Sequence, residues 1–312
     1  MKVFSKDENA VSPIVATLVL IVVAVVGAVS VGTIMGTFSD DVTQQTNTGD
    51  ISSASATEIL IAGSTTVQPV SELLAEAYMK ENPGVKITVQ GGGSGAGVSA
   101  AGMGIADIGA ASRNLKDEEA TKYPELETYQ IGGSAVVVII SDDVTGITEI
   151  SKSDLDAIYN VSGSYTLPSG ITVAYQRAEE SGTEDTFVEY VLGKNGEINS
   201  SIAGETGNAG VLAAVQDSDS AIGFVDAGYA FDADGVTILD IIDGATYEAS
   251  TDNIKNALSG DTSAYPEGLT RPLNYIVGES PSSIVNDFLT FAQSPGAIQY
   301  FEEAGMYSVM EM

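Results

Sequence analysis

The stretch Glu58–Lys80, EILIAGSTTVQPVSELLAEAYMK, contains the unit that decides the fold. Its beginning, Glu58–Ala62, is mostly apolar and predicts a buried strand. After a short turn of small and hydroxylated residues, apolar side chains recur every three or four positions over Val67–Lys80, which predicts an amphipathic helix. A strand, a turn and a helix in this order form the repeating unit of an α/β protein.

The rest of the chain continues this alternation. Further strands are predicted at Lys86–Gln90, Asp107–Ala111, Ala135–Ile140, Ile171–Gln176, Ala221–Val225 and Thr237–Ile241. Further helices are predicted from a glycine loop to about Met103 and at Ser153–Tyr159, Thr183–Leu192, Asn208–Asp217, Asp252–Leu258 and Pro281–Gln293. We therefore predict an α/β protein with a mostly parallel sheet. Because about 250 residues exceed one doubly wound core, we expect two lobes.

The composition excludes several classes of protein. Twelve Lys and Arg stand against 43 Asp and Glu, for a net charge of −31. Without a basic surface, the chain has nothing with which to bind nucleic acid, whereas the charge suits a salty or extracellular medium. The chain has no Cys and no His, which excludes zinc sites built on them, Cys nucleophiles, His bases and disulfides. We accordingly expect no metal and no cofactor.

The N-terminal region predicts a membrane segment. No charged residue lies between Glu8 and Asp40, and the apolar run Ile14–Val29 with its flanks is long enough to cross a bilayer. Lys2 and Lys6 precede this run and acidic residues follow it, which places the N-terminus in the cytoplasm and the body outside the cell. A cleaved secretory signal is the alternative, although the run exceeds the usual length of about 7–15 residues.

A third interpretation of this region is a resemblance. The segment Asp7–Ala16 resembles the N-terminal segment of archaeal type IV pilin-like proteins, in which a peptidase cuts before an apolar helix that the mature protein keeps. This resemblance implies an archaeal source. Residues 1–40 are thus predicted to be a signal or anchor, and residues 41–57, rich in Ser, Thr, Gln and Asn, a flexible linker.

Two small-residue turns join predicted strands to predicted helices. Gly63–Thr66 offers hydroxyls, and Gly91–Gly97 offers glycines together with the hydroxyl of Ser94. Free backbone N–H groups at a helix start can bind an anion. An ordinary helix cap is the alternative for the first turn, and a flexible turn is the alternative for the second. The glycine loop is not a Walker loop, because no Lys-Ser or Lys-Thr follows it.

Two of the three arginines lie in similar turns. Arg113 follows Ser112 at the end of a predicted strand, and Arg177–Thr183, RAEESGT, follows another strand and leads into a helix. The guanidinium group of arginine binds oxyanions through paired hydrogen bonds. Glu179, two residues after Arg177, is placed to hold the guanidinium of Arg177. A surface ion pair beside a helix cap is the alternative.

These four strand ends predict one site. Ligands in open α/β sheets bind beyond the carboxyl ends of the strands. Hydroxyls, helix starts and two of three arginines together indicate a small, highly charged oxyanion. Because the net charge of −31 repels such a ligand, its affinity must come from short-range hydrogen bonds in a desolvated cleft.

The motifs occur in the same order as in a known family. They are Gly63–Pro69 (GSTTVQP), Gln90–Gly97 (QGGGSGAG), Asp107–Arg113 (DIGAASR) and Arg177–Thr183 (RAEESGT). From Glu58 to its end, the chain resembles the phosphate-binding proteins of ABC-type phosphate uptake systems. This resemblance implies a two-lobed, type II periplasmic-binding-protein-like fold with one lobe at 58–133 plus 272–312 and the other at 134–271.

The resemblance also implies a hinge and a ligand set. The two chain crossings of the hinge would fall near Gly132–Ala135 and Ala264–Arg271, where Arg271 is interpreted as structural. The implied phosphate-binding residues are Thr65, Thr66, Ser94, Ser112, Arg113, Arg177, Ser181, Gly182 and Thr183, with Glu179 in support.

One position departs from the best-known family members, which have an aspartate where Ser112 falls. A carboxylate accepts a hydrogen bond from protonated phosphate and repels fully ionised sulfate. A serine hydroxyl can donate or accept, so it discriminates less between the two anions. The departure therefore bears on selectivity more than on binding.

The favoured hypothesis is a receptor, not an enzyme. It would be tethered to the cell membrane, bind inorganic phosphate outside the cell and deliver it to an ABC transporter permease. One alternative is a receptor for sulfate, molybdate or tungstate, and another is a pilin-like filament subunit that displays an α/β domain. A hydrolase is disfavoured, because the sequence lacks His, Cys and a clear paired-carboxylate metal cluster.

Overall fold

A computed structural model describes residues 57–162 and 167–312. The predicted membrane helix, its pilin-like segment and almost all of the linker lie outside the described residues. Within these two ranges, no helix combines the length and the apolar character that crossing a bilayer requires.

Strands and helices alternate along the described residues. The strands are β1 Thr57–Gly63, β2 Val85–Gly91, β3 Ile108–Ala111, β4 Glu127–Ser141, β5 Glu149–Ser151, β6 Val173–Arg177, β7 Ala203–Glu205, β8 Ala221–Asp226, β9 Val236–Asp243, β10 Ala245–Tyr247, β11 Thr270–Val277 and β12 Tyr307–Ser308. The α-helices are α1 Gln68–Glu81, α2 Ser94–Gly102, α3 Asp117–Lys122, α4 Lys152–Tyr159, α5 Gly182–Val191, α6 Gly207–Gln216, α7 Ala227–Ala230, α8 Thr251–Leu258, α9 Ser283–Ala292 and α10 Ile298–Glu303. Short 3-10 helices occur at Glu267–Leu269, Pro295–Ala297 and Val309–Glu311.

The opening stretch folds as its pattern predicts. Ile59 and Ile61 of β1 are buried, and α1 buries a face of apolar residues spaced four apart, Val70, Leu74 and Tyr78. Pro69 lies in the first turn of α1. The backbone N–H groups of this turn have no partner within the helix, so proline, which lacks an N–H group, removes no helical hydrogen bond. The hydroxyl turn is therefore held rigidly between a buried strand and a buried helix face.

The sheets are mixed, so the prediction of a mostly parallel sheet is wrong. In one lobe the strand order is β2-β1-β3-β11-β4, with β1 parallel to β2 and β3 but β11 antiparallel to both of its neighbours. In the other lobe β8 is antiparallel to β4 and parallel to β6. The reason is that the chain leaves the first lobe along β4 and returns along β11, which lie side by side.

Strand β4 runs through both lobes. Its first part, Glu127–Ala135, pairs with β11, and its second part, Val136–Ile140, pairs with β8. Two separate hydrophobic cores flank this strand. One is built from residues between 59 and 131 and between 273 and 306, and the other from residues between 135 and 269. The lobe boundaries inferred from the sequence stay a prediction.

Candidate anion-binding site

The four sequence motifs meet at the carboxyl ends of β1, β2, β3 and β6. The hydroxyl oxygen of Ser94, in the first turn of α2, accepts hydrogen bonds from the backbone N–H groups of Ser112 at 3.1 Å and Gly182 at 3.2 Å. These residues come from three different motifs and from both lobes. The interlobe contact thus forms where the sequence predicts the site.

Five buried hydroxyl side chains form what we call the hydroxyl cluster: Ser64, Thr66, Ser94, Ser112 and Thr183. The Ser112 oxygen lies 3.1 Å from that of Ser64 and 3.3 Å from that of Ser94. The oxygens of Thr66 and Thr183 lie 3.2 Å apart. A hydroxyl can both donate and accept, so these groups can turn their protons towards an anion.

Arg177 ends β6 and is buried beside the cluster. Its Nη2 donates to Thr65 Oγ1 at 2.9 Å and forms an ion pair with Glu179. Glu179 is itself held by the backbone N–H of Gly207 at 3.1 Å. The Nε of Arg177 has no hydrogen-bond partner among the described residues. The guanidinium is therefore fixed in orientation and still has a donor to offer.

Arg271, which the sequence analysis treated as structural, is a second buried guanidinium in the site. Its Nη2 pairs with Asp226 Oδ2 at 2.6 Å and donates to Thr66 Oγ1 at 3.0 Å. Asp226 also accepts from Ser134 Oγ at 2.6 Å. Burial lowers the pKa of Arg271, and the nearby Asp226 carboxylate opposes this effect. The Nε and Nη1 of Arg271 lack a partner in the part of the chain that the structure describes.

Asn208 is a further site residue that the sequence analysis missed. Its Nδ2 donates to Thr66 Oγ1 at 2.9 Å, and its Oδ1 accepts from Thr183 Oγ1 at 3.3 Å and from the backbone N–H of Asp226 at 3.1 Å. Asn208 therefore links the hydroxyls of the two lobes. The sequence places Asn208 at the start of a predicted helix, but this position alone does not indicate a site residue, because asparagine is common there as a simple cap.

Arg113, which the resemblance places among the phosphate-binding residues, does not join the hydroxyl cluster. Its Nη1 lies 2.7 Å from Glu119 and its Nε lies 2.8 Å from Asp185. Burial alone would lower the pKa of Arg113, but Glu119 and Asp185 together raise it above its ordinary value. These two carboxylates draw the guanidinium away from the cluster, although Ser112 beside it belongs to the cluster.

The start of α5 brings the other lobe to the cluster. Ser181 caps this helix, since its hydroxyl accepts from the backbone N–H of Thr183 at 3.1 Å. A Cβ atom at Gly182 would lie 2.5 Å from Ser112 Oγ and 2.6 Å from Ser94 Oγ. Glycine at this position therefore permits the close approach of the two lobes.

A contact through Tyr229 further joins the lobes. Its hydroxyl donates to the backbone carbonyl oxygen of Thr65 at 2.8 Å. Burial, with a contribution from Asp226, raises the pKa of Tyr229 to about 12, so the phenol keeps its proton at neutral pH. The turn that carries Thr65 is thereby fixed from both sides of the cleft.

The assembled groups are suited to binding an oxyanion. Buried hydroxyls, two oriented guanidiniums and the N-terminus of α5 all offer donors to the same place. Across residues 57–162 and 167–312, no group of three or more Asp or Glu is arranged to hold a metal ion. The donors thus point to recognition of negative charge rather than coordination of a cation.

Comparison with known proteins identifies the family. The family model described as PBP superfamily domain matches residues 48–295. The chain belongs to the PBP superfamily. Within it, the chain is 31% identical over 241 residues to the phosphate-binding protein PstS of Bacillus subtilis (strain 168), which covers 76% of this chain and 75% of that protein. The phosphate-binding protein PstS of Staphylococcus haemolyticus is 29% identical over 249 residues, covering 73% and 74% of the two chains.

A solved structure resembles the fold of this chain over most of its length. It is described as a phosphate ABC transporter substrate-binding protein from Clostridium perfringens with bound phosphate. The TM-score is 0.68 at 27% identity, and the match covers 81% of this chain and 99% of that chain. These similarities place the chain among the PstS-like substrate-binding proteins, which are receptors and not enzymes.

Proposed function

We propose that this protein is an extracytoplasmic receptor that binds inorganic phosphate between its two lobes and delivers it to an ABC transporter permease. One observation carries this proposal. The buried guanidiniums of Arg177 and Arg271 donate to the hydroxyls of Thr65, next to the cluster, and of Thr66, within it, yet both keep N–H groups without a partner among the described residues. Since buried donors are nearly always paired, an oxyanion is the partner that would satisfy them.

The proposed ligand set follows the sequence analysis with one removal and one addition. It comprises Thr65, Thr66, Ser94, Ser112, Arg177, Ser181, Gly182 and Thr183, with Glu179 orienting Arg177, and Arg271 is added because its buried Nε and Nη1 have no partner among the described residues. Arg113 is left out because Glu119 and Asp185 engage its guanidinium. Phosphate is favoured because relatives that match 76% and 73% of the chain are named phosphate-binding proteins, and the similar solved structure contains phosphate.

Hinge closure is part of the proposal. Contacts between Thr66 and Thr183 and between Ser94 and Gly182 join opposite walls of the cleft. Both chain crossings lie on neighbouring antiparallel strands, where Arg271 is the register partner of Ser134. Rotation about two adjacent strands would separate the lobes to admit an anion and bring them together around it.

Another tetrahedral oxyanion is the second candidate ligand, and Ser112 is the residue that favours it. Its hydroxyl is fully buried and contacts the hydroxyls of Ser64 and Ser94. Because serine carries no charge, this position would not repel sulfate, molybdate or tungstate.

Tethering to the cell membrane belongs to the proposal as well. It rests on the uncharged run between Glu8 and Asp40 and on the basic residues that precede this run. The N-terminus would lie in the cytoplasm and the two lobes outside the cell. Pilin-like processing and an archaeal source rest on the segment Asp7–Ala16. The filament-subunit alternative predicts that the purified full chain polymerises.

Calorimetric titration of residues 55–312 tests the receptor proposal. Phosphate, sulfate and molybdate are titrated in turn, and heat is preferred to fluorescence because the chain has no Trp. We expect phosphate to bind tightly and Arg177→Ala to weaken binding about a hundredfold, since a buried charged contact of this kind contributes about 3 kcal/mol. Lys86→Ala is the control, because the one ion pair of Lys86 within residues 57–162 and 167–312 is with the exposed Glu58. No heat from a folded sample with any of the three anions would contradict the proposal.

A further inference from the structure

A groove of about 950 Å³ opens between the lobes. Residues 113–118 of one lobe form one wall, and residues between 185 and 196 of the other lobe form the opposite wall. Residues between 268 and 272, beside the return crossing along β11, line it as well. The groove therefore lies on the cleft between the two lobes.

The lining of this groove differs in charge from the rest of the protein. The whole chain has 12 basic against 43 acidic residues. The basic residues that line the groove are Arg113, Lys116, Lys152, Lys194 and Arg271. The acidic ones are Asp117, Glu118, Asp185 and Glu189. Five of the twelve cations of the chain thus line one groove, where they outnumber the carboxylates.

The groove borders the hydroxyl cluster at three points. Arg113, in one wall, directly follows Ser112 of the cluster. In the opposite wall, Asp185 lies two residues after Thr183 on α5. Arg271 lines the groove and also donates to Thr66 at 3.0 Å. An anion that enters along this groove therefore arrives at the cluster.

The basic side chains of the groove are not equally free. Lys116 lies 3.0 Å from Asp185, and Lys152 lies 3.2 Å from Asp243. Lys194 is exposed and has no ion-pair partner in residues 57–162 and 167–312. Its ammonium group is the least compensated positive charge at the groove.

We propose that this groove is the entrance for phosphate and that its basic side chains, Lys194 in particular, raise the rate at which the anion associates. The inference rests on the proposed function. A protein of net charge −31 repels an anion at long range, so cations gathered at one groove, of which Lys194 has no ion-pair partner in the part of the chain that the structure describes, favour the approach of the ligand there. Such attraction acts on the approaching ion and has little effect on an anion already enclosed.

The test compares two charge reversals in the full chain, kept in a mild detergent. Lys194→Glu and Lys80→Glu change the net charge equally, but Lys80 is an exposed residue of α1 outside the groove. The dissociation constant is measured by calorimetry and the release rate by rapid-filtration exchange of ³²P-labelled phosphate. Their ratio gives the association rate.

We expect Lys194→Glu to slow association about two- to fivefold at about 20 mM ionic strength and to leave the release rate unchanged. The difference should vanish near 0.5 M, where screening confines attraction to about 4 Å. If the wild type binds phosphate, two results would overturn this inference alone. One is that Lys80→Glu slows association as much as Lys194→Glu does, and the other is that Lys194→Glu does not slow it. A wild type that binds no phosphate would overturn the proposed function and this inference with it.

Discussion

Thr66 Oγ1 and Thr183 Oγ1 lie 3.2 Å apart, although 117 positions of sequence separate them. Thr66 precedes α1 in one lobe, and Thr183 lies in the first turn of α5 in the other. The starts of two helices thus meet across the cleft. An anion bound here would contact both lobes, so its affinity and the closure of the lobes depend on the same contacts.

Replacing Gly182 with alanine should weaken phosphate binding and leave the fold intact. The added Cβ would lie 2.5 Å from Ser112 Oγ, so the lobes could not close fully. Because such overpacking costs about 1–3 kcal/mol, we expect the affinity for phosphate to fall about tenfold or more. Calorimetry measures this affinity. Gly84→Ala is the control, because a Cβ there has no atom within 4 Å. Unaltered affinity in Gly182→Ala would show that closure does not bring these groups together.

Replacing Asp185 with asparagine should speed the release of phosphate. Asp185 lies 2.8 Å from Arg113 Nε and 3.0 Å from Lys116 Nζ, both in the opposite lobe. These partly exposed ion pairs between the lobes contribute about 1 kcal/mol to the closed state, so their loss should raise the release rate about fivefold. Glu189→Gln, one turn further along α5, removes the same charge from the groove, and Glu189 forms no ion pair with any residue that the structure describes. Equal release rates in the two variants would contradict this role.

Local periodicity in the sequence predicts most strands and helices but not the order of strands in the sheets. The apolar run Ala135–Ile140 was predicted, whereas the first part of β4 was not, because Glu127–Ser134 mixes polar residues with glycines. Strand β11 was also missed, since it contains Pro272 and is fixed by pairing with β3 and β4. These two strands make the sheet mixed, and their pairing joins segments distant in sequence.

The site was predictable where glycines and hydroxyls follow a strand directly. Three of these motifs contain the residue at which their helix begins, so their local structure follows from nearby residues. Arg271 and Asp226 were missed because their pairing depends on where β11 and β8 lie in the sheets. That Arg113 lies outside the cluster was not predictable, because its partner Asp185 comes from the opposite lobe. Which arginine faces the cluster is decided by the positions of distant carboxylates.

Replacing Ser112 with aspartate should increase discrimination between phosphate and sulfate. The new carboxylate would accept a hydrogen bond from monohydrogen phosphate and repel sulfate, which has no proton to donate. We expect the ratio of the two dissociation constants to rise about tenfold or more, from about 1.4 kcal/mol of repulsion. Ser112→Ala should change both constants in the same direction. An unchanged ratio in Ser112→Asp would place the anion away from this residue.

Glu184 should make stability depend on pH. Burial, with a contribution from Asp185, raises the pKa of Glu184 to about 7 in the folded protein. The stability that its protonated form provides is complete below its unfolded pKa, near 4.5, and is lost as the pH rises to about 7. In Glu184→Gln, which cannot ionise, the free energy of unfolding relative to wild type should rise by about 1–2 kcal/mol between pH 4.5 and 8, after allowance for partial exposure.

Chemical denaturation at both pH values measures this difference. Glu303→Gln, which replaces an exposed carboxylate of α10, is the control. A stability difference between Glu184→Gln and wild type that is the same at both pH values would contradict the raised pKa.

The location of bound phosphate tests the central claim most directly. The measurement is a crystal structure of residues 55–312 grown with phosphate in a buffer free of sulfate. We predict one tetrahedral anion between the lobes, within hydrogen-bond distance of Arg177, Thr66, Ser94 and Thr183. If a crystal grown at a saturating phosphate concentration has no anion at these residues, or has the anion bound elsewhere, the result would contradict the account.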